Sequence, residues 1–80
     1  GYGRYDVMLE PRNTKEDDGI ILEFKVHDPK EEATLGDTME AAHRQIAEKQ
    51  YAARLAAHGI PEERIRSYGF AFKGKNVLIG

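Results

Sequence analysis

Residues 4–10, RYDVMLE, alternate along the chain: Tyr5, Val7 and Leu9 fall on one side, Arg4, Asp6, Met8 and Glu10 on the other. A period of two is the signature of a strand. Residues 11–19, PRNTKEDDG, are polar and rich in turn formers, which marks a loop. Residues 20–27 give a second strand, close enough in sequence to pair with the first as a wide hairpin. Its centre, IILEFKV, is apolar enough for a core strand, yet it carries Glu23 and Lys25 two residues apart.

Thr34 followed three residues later by Asp37 resembles a capping box, with Asp in place of the usual Glu. From Leu35 to His58 the pattern is helical, with Leu35, Met39, Ala42, Ile46 and Ala53 on one stripe. Gly59 and Pro61 stop the helix. PEER is expected to form a single turn, residues 66–72 a third strand, KGKN a turn and VLI a short fourth strand. The order is β-β-α-β-β: an α/β chain of α+β-like order, with a mixed sheet and one long helix. Tyr5, Val7, Leu9, Leu22, Phe24 and Val26 are expected to feed the buried side, with Glu23 and Lys25 facing the other way. One helix covers one sheet face, so the other face calls for missing elements or a second subunit, a homodimer completing the sheet.

Eighty residues make a single domain, 1–80, and a chain of this length has a small core. No apolar window approaches the ~20 residues of a membrane span, and no charged-then-apolar leader is present. The strand pattern starts almost at Gly1, as in a fragment of a longer chain. There are no cysteines, which excludes disulfides and thiolate metal sites and is compatible with a cytoplasmic location. A formal net charge of −2 neither supports nor excludes nucleic-acid binding.

Period two places Ile21, Glu23 and Lys25 on one face of the second strand. If the hairpin pairs with its apolar faces together, Asp6 shares that face. Two carboxylates repel, and a divalent cation with oxygen ligands relieves the repulsion. Such an ion polarises a phosphoryl oxygen and activates water, and a nearby lysine orients that water or stabilises the developing charge. The same residues also suit a plain ion pair, Glu23–Lys25 or Asp6–Lys25, on a solvated sheet face. Spacing alone leaves both readings open.

GRYD, then IILEFKV, then QIAEKQY on the helix, then YGFAFKGKNVLI together resemble the PD-(D/E)XK nuclease superfamily over nearly the whole chain. More narrowly, they are similar to the nuclease-like domain at the C-terminus of AAA-ATPase-like bacterial proteins. The resemblance implies a restriction-endonuclease-like core that cleaves DNA, or less often RNA, with Mg²⁺ or Mn²⁺. It places the metal-binding Asp on Asp6 and the D/E-x-K pair on Glu23 and Lys25. The main-chain carbonyl of Phe24 becomes a further metal ligand. All three side chains, Asp6, Glu23 and Lys25, are then expected to converge. The superfamily core begins with a helix and a strand before the Asp-bearing strand, which implies truncation at the N-terminus here. An ATPase-like domain is implied in the full-length chain, since no P-loop occurs in this one.

Related nucleases carry Q-x-x-x-Y on the helix after the E-x-K strand. Here Gln45 is followed four residues later by Lys49. The two share a helix face, either reaching a phosphate or the carboxylates or forming a solvated edge. The resemblance gives Gln45 a supporting catalytic role. Tyr51 lies about 120° away around a continuous helix and is not expected to join them. His27 and Asp28 read as a strand-end polar pair, and His43 and His58 as surface residues. Arg64, Arg66, Lys73 and Lys75 suit either phosphate contacts or solvated turns. Phe70, Phe72, Tyr5 and Tyr68 read as packing rather than as base-stacking platforms.

Overall fold

The computed structural model describes residues 3–80. The alternating segments form β1 (Arg4–Leu9) and β2 (Gly19–Val26), followed by α1 (Leu35–Glu48), α2 (Tyr51–Ala57), a 3-10 turn (Glu62–Arg64), β3 (Ile65–Lys73) and β4 (Asn76–Ile79). The four strands lie in the sheet in chain order, β1-β2-β3-β4. β1 pairs antiparallel with β2, and β4 antiparallel with β3. β2 and β3 run parallel, because the helical segment between them is long enough for a crossover. This is the expected mixed four-stranded sheet with one long helix in β-β-α-β-β order.

β3 determines which sheet face the helices cover. Tyr68, Phe70 and Phe72 alternate there with Gly69 and Ala71. The small side admits a helix and the aromatic side does not. A Cβ at Gly69 would come within 2.5 Å of Met39 Sδ and 3.5 Å of the Ala42 Cβ, so α1 packs directly onto that glycine. The buried core is accordingly Ile21, Ala42, Ile46, Leu55, Ile60 and Ala71.

This corrects the expected core. Tyr5, Val7, Leu9, Leu22, Phe24 and Val26 lie on the opposite face, and none of them is fully buried. Their packing is lateral. Phe24 stacks on Phe70 with centroids 4.7 Å apart and reaches Tyr5 at 5.5 Å. Among the described residues no helix covers this face, and Tyr5 remains 64% exposed.

Thr34 and Asp37 form the expected capping box. The Asp37 N–H donates to Thr34 Oγ1 at 3.2 Å, and the Thr34 N–H donates to Asp37 Oδ2 at 3.1 Å. The helix does not run unbroken to His58. It ends at Lys49, and Gln50 takes a left-handed conformation (φ 56°) before α2 begins. The turn re-aims the second segment, so Leu55 enters the core while Ala53, on the expected stripe, is exposed. The stop at Gly59 (φ 94°) is as expected. Among the described residues, no helix is long and apolar enough to cross a membrane.

Candidate functional site

Asp6 and Glu23 are direct partners in the β1–β2 register. Both side chains stand on the helix-covered face. Glu23 is completely buried, and neither carboxylate oxygen has a hydrogen-bond partner among the described residues. A buried polar group in that condition is costly. Burial pushes the Glu23 carboxyl above its ordinary pKa, and the adjacent Asp6 charge adds to the effect.

Asp6 is treated differently. The Lys49 ammonium donates to Asp6 Oδ2. That bond holds the Asp6 carboxyl below its usual pKa against the opposing effect of burial, and the nearby Tyr51 hydroxyl acts in the same direction. The bond raises the Lys49 pKa in return. The break in the helix brings these groups together. Along a continuous helix Tyr51 would point away. After the left-handed Gln50, it begins α2 beside Asp6 and packs against the core of Ile21, Ile46, Leu55 and Ile60. The expectation that Tyr51 stays apart is thereby corrected.

Gln45 lies one turn before Lys49 and accepts a 2.6 Å hydrogen bond from Arg4 Nη1. Arg4 is the register partner of Lys25 and contributes positive charge near Glu23. Gln45 therefore meets the site through Arg4 rather than through a carboxylate.

Lys25 shares the face of Glu23, but its ammonium donates to Glu32 Oε2 at 2.6 Å. Neither Glu23–Lys25 nor Asp6–Lys25 forms an ion pair among the described residues. The expected three-way convergence is thus met by Asp6 and Glu23 and not by the Lys25 head group. The cause is Glu32, an acid whose position in a polar loop gives no sequence signal. Burial alone would raise the Glu32 pKa. The Asp28 N–H, the Lys25 ammonium and the Thr38 hydroxyl overcome that effect and hold it at about 2.

The donor set bears on metal binding. Among the described residues, no group of three or more His, Cys, Asp or Glu side chains could hold an ion. Two carboxylates in register, one buried without a partner, nevertheless fit a hard cation that takes one or two carboxylates and fills its other positions with water and phosphate oxygens. The Phe24 ring stacks on the opposite face, so Phe24 could contribute only its carbonyl oxygen.

Five of the remaining candidates serve the scaffold. Arg64 donates to the main-chain carbonyls of Asp17 and Thr14 at 2.6 Å each, and Arg66 pairs with Asp18, tying down the β1–β2 loop. His58 pairs with Glu10, and His43 bonds the Gly80 carbonyl at 3.0 Å. His27 is buried against Thr38.

A family model described as the PD-(D/E)XK nuclease superfamily matches residues 1–80. Searches of curated proteins and of solved structures gave no match. The match spans every residue of the chain, over a restriction-endonuclease-like arrangement of a mixed four-stranded sheet and one long helix. The chain belongs to the PD-(D/E)XK nuclease superfamily.

Proposed function

We propose that residues 1–80 are a single nuclease domain that hydrolyses phosphodiester bonds with Mg²⁺ or Mn²⁺, on DNA, the superfamily's more frequent substrate. The carrying observation is the Asp6–Glu23 pair, directly opposed in register, with Glu23 buried and unpartnered. Asp6, Glu23 and the Phe24 carbonyl would hold the metal, which when bound supplies Lewis-acid polarisation of the phosphate and of water. Arg4, Lys25 and Lys49 bring three cations to the same face of the sheet, and a phosphodiester backbone has the complementary charge. Lys25 takes the superfamily's lysine role, donating to the attacking water or to the developing charge at phosphorus. Gln45 holds Arg4 toward the substrate.

The narrower likeness to the C-terminal domain of AAA-ATPase-like bacterial proteins supports a cytoplasmic protein whose full-length chain carries an ATPase-like domain. The test is cleavage of supercoiled plasmid in Mg²⁺ and in Mn²⁺ by the wild type, Asp6→Ala and Lys25→Met. Cleavage by the wild type and its loss in both variants is expected. Equal activity in all three would sink the reading.

One observation favours a second reading, a non-catalytic binding or oligomerisation module. On the face without a helix, Tyr5, Val77 and Ile79 are 64%, 50% and 59% exposed, and exposed apolar patches mark interaction surfaces. A homodimer completing the sheet would bury them. Sedimentation equilibrium decides: a monomer at every concentration removes the dimer.

A further inference from the structure

Lys25 is held by a buried chain of side chains that the nuclease reading does not require. Its ammonium, 12% exposed at the side chain, donates to Glu32 Oε2 at 2.6 Å. The other Glu32 oxygen, Oε1, accepts from the Asp28 N–H and from Thr38 Oγ1, each at 2.8 Å. Thr38 Oγ1 lies 2.8 Å from His27 Nδ1. A hydroxyl has one proton to give. Since Thr38 gives it to Glu32, His27 must be the donor in the preceding bond, which places the imidazole proton on Nδ1.

The chain therefore runs in one direction, from His27 to Thr38 to Glu32, and its negative end meets Lys25. Thr38 is fully buried, and His27 and Glu32 are 5% and 8% exposed. The ends of the chain are fixed to the scaffold. The His27 main-chain N–H donates to the Phe72 carbonyl at 2.7 Å, and Thr38 sits in the first turns of α1 behind the Thr34–Asp37 capping box.

A loop needs no such arrangement to close. Two buried charges carry a desolvation penalty that is offset only when every remaining lone pair and proton is satisfied. Here both Glu32 oxygens are satisfied from three separate elements, β2, the following loop and α1. The outcome is a fixed location for one atom, Lys25 Nζ. An unrestrained lysine has four rotatable bonds and loses considerable entropy when it must reach one place. Glu32 fixes Lys25 before substrate arrives. An ammonium has three protons. One goes to Glu32 and a second points toward the Val26 carbonyl at 3.5 Å; among the described residues the third has no acceptor and is left for a ligand.

We infer that Glu32, held by Thr38 and His27, is the positioning residue for Lys25. The catalytic part of this inference rests on the nuclease reading; the geometric part does not. Two experiments separate them. The first is NMR on ¹⁵N,¹³C-labelled protein, detecting the Lys25 ammonium and its scalar coupling through the hydrogen bond to the Glu32 carboxyl carbon. The coupling is expected in the wild type, and the Lys25 Nζ order parameter should fall in Glu32→Gln and Thr38→Val and return in Thr38→Ser. An ammonium as mobile in the wild type as in Glu32→Gln overturns the inference, whatever cleavage shows.

The second is plasmid cleavage in Mn²⁺. Glu32→Gln should lower kcat by about 10- to 100-fold, the scale of lost supporting contacts at metal sites, with KM and Mn²⁺ affinity unchanged. Thr38→Val should lower it less, and Thr38→Ser should restore it. If Lys25→Met abolishes cleavage while Glu32→Gln cleaves normally, the positioning role is wrong and the nuclease reading stands. If the wild type fails to cleave, the nuclease reading and the catalytic part fall together, and the NMR result alone decides the geometric part.

Discussion

Asp6 and Glu23 face one another across β1 and β2, yet among the described residues a cation bonds Asp6 alone, and both Glu23 oxygens lack a hydrogen-bond partner. The raised Glu23 pKa means that the folded state binds this proton more tightly than the unfolded chain. The fold is thus penalised for ionising Glu23, and stability falls as pH rises through its folded pKa. Glu23→Gln removes the penalty. A stabilisation on the order of 1 kcal/mol should raise Tm at neutral pH by about 4–8 °C. The gain should vanish below the ordinary glutamate pKa of 4.5, where the wild-type group is protonated in both states. Thermal melts at pH 4 and pH 7 measure it.

Lys49 should compete with any metal for Asp6. The pair is partly exposed, with side-chain exposures of 38% and 20%, so its ammonium is a weak competitor. Lys49→Met is expected to tighten Mn²⁺ binding by on the order of twofold to fivefold. Weaker binding in this variant would mean that Lys49 supports the ion rather than displacing it.

The Glu32 carboxylate makes acid stability a readout of its network. Its pKa falls from 4.5 to about 2 on folding. Its contribution is therefore complete above pH 4.5 and is lost as pH falls toward 2. A shift of that size corresponds to on the order of 3 kcal/mol. Urea titrations from pH 6 to pH 2 should show a steeper loss in the wild type than in Glu32→Gln.

Leu55 anchors α2, which presents Tyr51 to Asp6. Leu55→Ala should cost about 2–5 kcal/mol and lower Tm by roughly 10 °C or more. Ala53→Ser should change stability by no more than about 0.5 kcal/mol, because Ala53 is exposed. The reverse ranking would restore a continuous helix from 35 to 58.

The elements of this fold were legible because alternation, caps and breakers are local. Asp6 opposite Glu23 followed from the wish to bring like faces of two strands together. The covered face was not legible from β2, where Ile20, Leu22, Phe24 and Val26 on one side outnumber Ile21 on the other, and charge is expected to face water. β3 did carry the signal: Gly69 and Ala71 between aromatics mark the side that a helix can approach. The break at Gln50 has no such signal, since neither Gly nor Pro stands there and left-handed Gln is uncommon. With the break unseen, Tyr51 pointed the wrong way. Glu32 was invisible because its role depends on partners from β2 and α1 that only the fold brings together.

Asp6 and Glu23 are proposed to share one metal ion. Isothermal titration of Mn²⁺ into the wild type, Asp6→Ala and Glu23→Gln tests it most directly. One Mn²⁺ site per chain is expected in the wild type, with loss of binding in both variants, each of which removes one of the two carboxylates. Wild-type binding that survives unchanged in either variant, or no binding in the wild type, would contradict it.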